Sequence, residues 1–300
     1  MVALSLGLLG CGADDQKVLL TEDEVVDSDT LAKLFKVRGI VQEIKRDEKL
    51  VVVDHEEIPD YMGAMIMPFR VKDLAELIGL EPGDGIVFDY RVEELQSWIE
   101  NVQVTGKKGA VKMGSKGAAT VADGEVLPMM ARLSDYAFVD ETGEEVSLAD
   151  YRGGVTALTF VFTRCPVPEY CPAMMRKFHE ASIKLKKTQK GLADWTLLTI
   201  SFDVAYDSPE VMKAWGKHFG FELGGSWHLL SAKKGSDTIE KIAADVGLKF
   251  GDNQGSYQHN LRTVVLDGRG RIRKVFTDEN WTVEELLEAM KAAKQEPMVQ

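Results

Sequence analysis

Three prolines punctuate the stretch Cys165-Pro-Val-Pro-Glu-Tyr-Cys171-Pro172, and they decide what its flanks can be. Proline offers no backbone N–H and has a fixed φ, so neither a sheet ladder nor a regular helix runs through residues 166–170. Upstream, Ala157 to Phe162 is a short apolar run with aromatic and β-branched side chains that suits a buried strand. Downstream, Pro172 stands where a first helical residue belongs, and Met174, Met175, Phe178, Ile183 and Leu185 recur at about helical spacing. The pattern is strand, loop, helix, with Cys171 at the helix N-terminus. Free N–H groups and partial positive charge there favour a thiolate over a thiol, and Arg164 adds a cation beside Cys165. The segment is therefore a candidate redox or soft-metal site, against the plainer alternative of two buried structural cysteines.

Three hundred residues allow about two domains, and 45% hydrophobic with 28% charged residues is the composition of a globular chain with a sizeable core. A formal net charge of −12 argues against nucleic acid as a partner and leaves anionic membranes unattractive except through a covalent anchor. No run of 18 apolar residues is present to span a membrane. The opening stretch ends in Leu8-Leu9-Gly10-Cys11, which resembles a bacterial lipobox in which Cys11 is acylated and becomes the mature N-terminus. A positively charged n-region is missing, so an upstream start, a degenerate signal and a buried N-terminal strand stand as alternatives. On the lipobox reading Cys11 takes lipid. Cys165 and Cys171 are then the remaining pair among three cysteines, in an oxidising, extracytoplasmic compartment.

Composition divides the rest. Residues 14–29 carry seven carboxylates against one lysine and read as a solvated tether, so 1–30 is signal and acidic tether. Residues 31–106 read as a small all-β, OB-like barrel, with strands over Val37 to Ile44, Leu50 to Asp54, Gly85 to Val92 and Trp98 to Val104. Gly106 to Gly124 holds five glycines and four lysines without apolar periodicity, giving a flexible linker over 107–126. In 127–300 a hairpin at 138–148 precedes the cysteine strand. Strands at 195–202, 226–230, 262–266 and 271–276 then alternate with helices that open at Ser208-Pro209, span Ile239 to Val246 before Gly247, and start from the Thr282–Glu285 capping box. That alternation predicts an α/β, thioredoxin-like domain.

Between the barrel strands lies His55-Glu-Glu-Ile-Pro-Asp-Tyr-Met62-Gly-Ala-Met65-Ile-Met67-Pro-Phe69. In an extended segment alternate residues share a face, so Met65 and Met67 point the same way, and two thioethers with a histidine suit Cu(I) better than a hard cation. Core filling is the commoner fate of methionine. The segment resembles the copper-binding stretch of CusF-like domains, OB-fold barrels that hold Cu(I) with one histidine and a Met-x-Met pair. The resemblance implies His55, Met65 and Met67 as ligands. The position of the family's capping tryptophan is Met62 here, which can supply a further thioether.

For the second domain a copper chaperone, a thiol–disulfide oxidoreductase and a peroxidase compete. The usual oxidoreductase signal is Cys-x-x-Cys, whereas five residues separate Cys165 from Cys171, and no proline occurs between Pro209 and Pro297 to face the cysteines. Peroxidase-like sites carry Thr or Ser three residues ahead of the reactive cysteine; Phe162 and Pro168 occupy those positions. His259 stands where thioredoxins keep the proline that faces their cysteines; an imidazole there would come up to both sulfurs and complete a set suited to copper, while most lone histidines are surface residues. Thr159 to Met174, Ser201-Phe-Asp203 with Asp207 to Val211, and His259 followed by Val264 to Gly270 resemble the three motif blocks of the Sco/SenC family. The resemblance implies a thioredoxin-like fold, copper bound by Cys165, Cys171 and His259, Asp203 as a supporting acid, and a role in assembling the dinuclear copper centre of cytochrome c oxidase. It further implies tethering outside the cytoplasm. The commonest family pattern has three residues between the cysteines, so the longer loop is a departure. His179 reads as a helix-surface residue, His218 and His228 as structural. The expected protein is a metallochaperone for Cu(I), and for Cu(II) as a second oxidation state, with an oxidase subunit as partner. The alternative is an oxidoreductase that keeps that subunit's cysteines reduced through Cys165 and Cys171.

Overall fold

The computed structural model describes residues 32–111, 127–187, 194–253 and 256–295. The lipobox with Cys11, the acidic tether and most of the predicted linker lie outside the described residues. Everything from Ala32 onward falls in one unit, which contains two five-stranded sheets.

In the first sheet β1 (Lys33–Lys45) pairs antiparallel with β2 (Leu50–His55) and with β4 (Asp84–Val92). β3 (Met65–Arg70) extends the sheet beyond β2, and β5 (Ser97–Lys108) beyond β4. Just past β3, Val71 makes a parallel bridge to Ile99 and the Lys72 N–H donates to the Ile99 carbonyl at 3.0 Å. The ring therefore closes in the order β1-β2-β3-β5-β4, the small all-β, OB-like barrel expected. Val41, Val53, Phe88 and Ile99 fill it without exposure. Gly39 is required by close approach, because a Cβ there would meet Val53 at 2.4 Å and the His55 Cα at 2.9 Å. β5 runs to Lys108, two residues into the stretch read as linker.

The second sheet is centred on β8 (Val155–Val161), whose residues are all buried. β9 (Trp195–Ser201) lies parallel to it and β10 (Trp227–Leu230) parallel to β9. On the other side β13 (Thr263–Leu266) and β14 (Ile272–Phe276) run antiparallel. A strand buried on both faces reads as a continuous apolar run, which is why it stood out in the sequence. Helix α1 (Cys171–Lys187) joins β8 to β9 and packs with α4 (Val283–Gln295). α2 (Pro209–His218) is capped by the Ser208 hydroxyl, and α3 (Thr238–Val246) ends at Gly247 with φ 68°. The hairpin β6 (Ala137–Val139) with β7 (Glu145–Ser147) was expected. A second hairpin, β11 (Phe250–Asn253) with β12 (Ser256–His259), was not; its strands are too short and polar to show a period.

Candidate metal centre

Strand β8, the proline-stiffened loop and the first turn of α1 place the two cysteines. At the end of β8 the Thr163 N–H and hydroxyl donate to Asp207 at 3.0 and 2.5 Å, and Ser201 at the end of β9 donates to the same carboxylate at 2.5 Å. Burial pushes the Asp207 carboxyl up, against the pull of those hydrogen bonds. Asp207 thereby ties the exits of the two central strands together. Arg164 donates twice to Asp203 Oδ2, at 2.9 and 2.6 Å, and lies 4.6 Å from the Tyr206 ring. Asp203 is fully buried, and its Oδ2 anchors the Arg164 guanidinium.

Cys165 is 9% exposed and Cys171 is wholly buried, and both are free thiols. The hairpin β11–β12 brings His259 to them. Its Nε2 lies 3.9 Å from Cys171 Sγ, and the three donor atoms sit within 4.8 Å of one another. Phe162 meets the imidazole edge-on at 5.5 Å and Phe202 packs at 4.8 Å. Nδ1 lies 2.9 Å from the Asn260 carbonyl, which can only accept, so the proton sits on Nδ1 and the Nε2 lone pair faces the sulfurs. Burial alone pushes the Cys165 thiol up, but a hydrogen bond from Cys171 and, when the ring is protonated, a hydrogen bond and positive charge from His259 outweigh it and lower it to about 5. Burial and the neighbouring Cys165 sulfur push Cys171 well above the ordinary thiol value, so the thiolate expected at the helix N-terminus is found at Cys165 instead. One thiolate, one thiol and one imidazole can take up a soft metal ion on loss of the second thiol proton, or can form a disulfide.

In the barrel, His55 on β2 pairs directly with Met65 on β3, and Val53 with Met67. Paired residues of antiparallel strands share a face, so the imidazole and both thioethers project to one side, that of the unexposed Val53. His55 is 2% exposed, Met67 5% and Met62 8%. Met62 closes a turn with Ile58 through backbone bonds of 2.8 and 3.0 Å. The His55 Nδ1–H donates to the Glu56 carbonyl at 2.6 Å, while Nε2 is buried without a hydrogen-bond partner. A buried lone pair left unsatisfied costs about 1–3 kcal/mol, which a soft cation among the thioethers would offset. The donor set thus fits Cu(I).

The structure brings Cys165, Cys171 and His259 together, and His55 to Met65. Cys11 lies outside the described residues. His179 stacks on Trp227 at 6.4 Å, and His228 bonds the buried Glu141 at 3.2 Å. His218, read as structural, is exposed at the end of α2 because that helix turns only its Met212 side inward. Sequence reasoning did not assign Asp207 a role, although it stands in the quoted motif block. It also missed Tyr61, whose hydroxyl donates to the Pro166 carbonyl beside Cys165.

Residues 128–295 match the family model SCO1/SenC, and residues 34–104 match that of the copper-binding periplasmic protein CusF. A SCO1 protein homolog of Bacillus subtilis is 24% identical over 174 residues, covering 55% of this chain and 84% of that protein. A SCO2-like protein of Rickettsia felis is 27% identical over 143 residues, covering 47% and 67%. The crystal structure of a SCO1/SenC family lipoprotein from Bacillus anthracis superposes with a TM-score of 0.50 at 24% identity, covering 55% of this chain and 96% of that one.

Proposed function

The chain belongs to the SCO1/SenC family, and from that premise we propose an extracytoplasmic copper metallochaperone. Cys165, Cys171 and His259 hold copper as cargo for the copper-bearing subunit of cytochrome c oxidase. The carrying observation is His259 Nε2 placed 3.9 Å from Cys171 Sγ, with all three donor atoms within 4.8 Å. Two soft sulfurs and an imidazole favour copper over hard cations. His55, Met65, Met67 and Met62 form a second Cu(I) site, supported by the match to CusF and by the unpartnered His55 Nε2. In this reading Cys11 carries lipid. No helix among the described residues is long and apolar enough to cross a membrane.

Within the chain, each residue has a physical task. The Asn260 carbonyl holds the His259 proton on Nδ1, keeping Nε2 free to donate. The thiolate at Cys165 binds first, and the metal's charge then favours loss of the Cys171 proton. Arg164, held by Asp203, keeps a cation near the entry. Titration of the reduced full chain with Cu(I) tests this: two equivalents are expected, falling to one in Cys165→Ala and to one in Met65→Ala/Met67→Ala. No binding in the parent overturns it.

The second reading, a thiol–disulfide oxidoreductase, is favoured by the contrast between a Cys165 thiol lowered to about 5 and a raised, fully buried Cys171. Such a pair has one attacking and one resolving sulfur. Rapid reduction of a disulfide in an oxidase-subunit peptide, retained in His259→Ala, would select it.

A further inference from the structure

The five residues between the cysteines are held from both sides. From the barrel, Tyr61 donates to the Pro166 carbonyl, and Ser97 donates to the Glu169 carboxylate through its backbone N–H and through its hydroxyl at 3.1 and 3.0 Å. Ser97 is itself braced by the buried Tyr90 hydroxyl at 3.1 Å. From the other side Arg176 of α1 donates to the Pro168 carbonyl at 2.7 Å. Arg70 of the barrel and Glu279 approach to 3.8 Å on the same seam.

These contacts belong to the dithiol. Cys171 is in the first turn of α1 and wholly buried, so bringing the sulfurs into bonding distance requires Cys165 to move. That displacement carries Pro166, whose carbonyl Tyr61 holds, and it pulls on the segment that Ser97 grips at Glu169. We propose that Tyr61 and Ser97 of the barrel clasp the loop between the cysteines in its dithiol form, so that barrel docking and oxidation of Cys165–Cys171 oppose one another. The coupling is reciprocal: a docked barrel protects the pair from oxidation, and oxidation loosens the barrel. The device needs no metal and goes beyond the proposed function. It gives the lengthened cysteine loop a use, since Pro166 and Glu169 are its handles.

Oxidation by a small disulfide balances simply. The Cys165 thiolate attacks oxidised glutathione and releases one glutathione thiolate. Cys171, having lost its proton, then displaces the second, so two electrons and the Cys171 proton leave the pair, giving one glutathione thiolate and one glutathione thiol. The test equilibrates the metal-free full chain with glutathione buffers, comparing the parent with Tyr61→Phe/Glu169→Ala and with the milder Glu169→Gln. The double variant is expected to shift the equilibrium at least tenfold toward the disulfide, about 30 mV more negative, with a smaller shift in the same direction for Glu169→Gln. In the unaltered chain the Ser97 amide is expected to exchange hydrogen at least tenfold faster in the disulfide form than in the dithiol form. An unchanged equilibrium in variants that remain folded, or equal Ser97 exchange in the two forms, overturns the proposal. The exchange measurement decides even if the double variant fails to fold.

Discussion

His55 and His259 are oriented by the same device: each donates Nδ1–H to the carbonyl of the residue that follows it, at 2.6 and 2.9 Å. One sits in a β-barrel and the other at the end of a hairpin of an α/β domain, yet both are held in the tautomer that leaves Nε2 free as a donor. A backbone carbonyl is always present and cannot itself donate, so the proton's position needs no other partner. The difference lies at Nε2. That of His259 faces a sulfur, whereas that of His55 faces the barrel interior beside thioethers.

Replacing His259 with alanine is expected to lower copper affinity at the cysteine centre on the order of 100-fold or more, since even residues that only orient a ligand cost 10–100-fold. Disulfide formation by Cys165 and Cys171 should persist, because neither sulfur depends on the imidazole for its place. Competitive titration with a Cu(I) chelator, with thiols counted in parallel, checks both halves.

Alkylation of Cys165 should follow the thiolate. With its thiol lowered to about 5 from an ordinary value of 9.0, the rate is expected to rise through pH 5 and level off well below pH 8. The linked stability has a definite sign. A lowered folded value means that the unfolded chain binds more protons between pH 5 and 9, so this group's contribution is full above pH 9 and is lost as pH falls through 5. Cys171, shifted the other way, opposes it above pH 9. Iodoacetamide kinetics followed by peptide mapping reads the first effect.

At the barrel, Met67→Ala is expected to abolish Cu(I)–sulfur scattering from residue 67 and to weaken binding at least tenfold, leaving the cysteine centre loaded. Burial lowers the His55 value below 6.5, so its imidazole stays unprotonated to lower pH than an ordinary histidine. Thioethers carry no proton to lose, and copper should therefore stay on the barrel in mild acid after the thiolates have released theirs. X-ray absorption at pH 5 on the Cys165→Ala chain is the measurement.

Asp207→Ala removes three hydrogen bonds inside a nearly unexposed site and leaves Thr163 and Ser201 without their acceptor. A loss of about 3 kcal/mol is expected in urea unfolding, with Asp207→Asn costing less because an amide oxygen still accepts.

Acylation at Cys11 is expected in membranes of a host that processes lipoproteins, with release of residues 1–10. Mass spectrometry of the mature N-terminus tests it, and an unmodified Cys11 in membrane-free extract would end the idea.

Local rules carried the sequence a long way. Proline chemistry placed Cys171 at the head of α1, continuous apolarity placed β8, alternation placed Met65 and Met67 on one face, and Ser208, Gly247 and the Thr282–Glu285 box set helix ends. These features depend on neighbours a few residues apart, so a linear reading contains them. The approach of His259 to Cys171 spans 88 residues through a hairpin with no visible period, and only a resemblance pointed to it. Nothing in the sequence announced that Tyr61 would meet Pro166 across 105 residues, or Ser97 meet Glu169 across 72. Tyrosine, serine and glutamate find partners in most proteins, so composition cannot select among them. Only the packing of the barrel on the second domain decides which loop they hold.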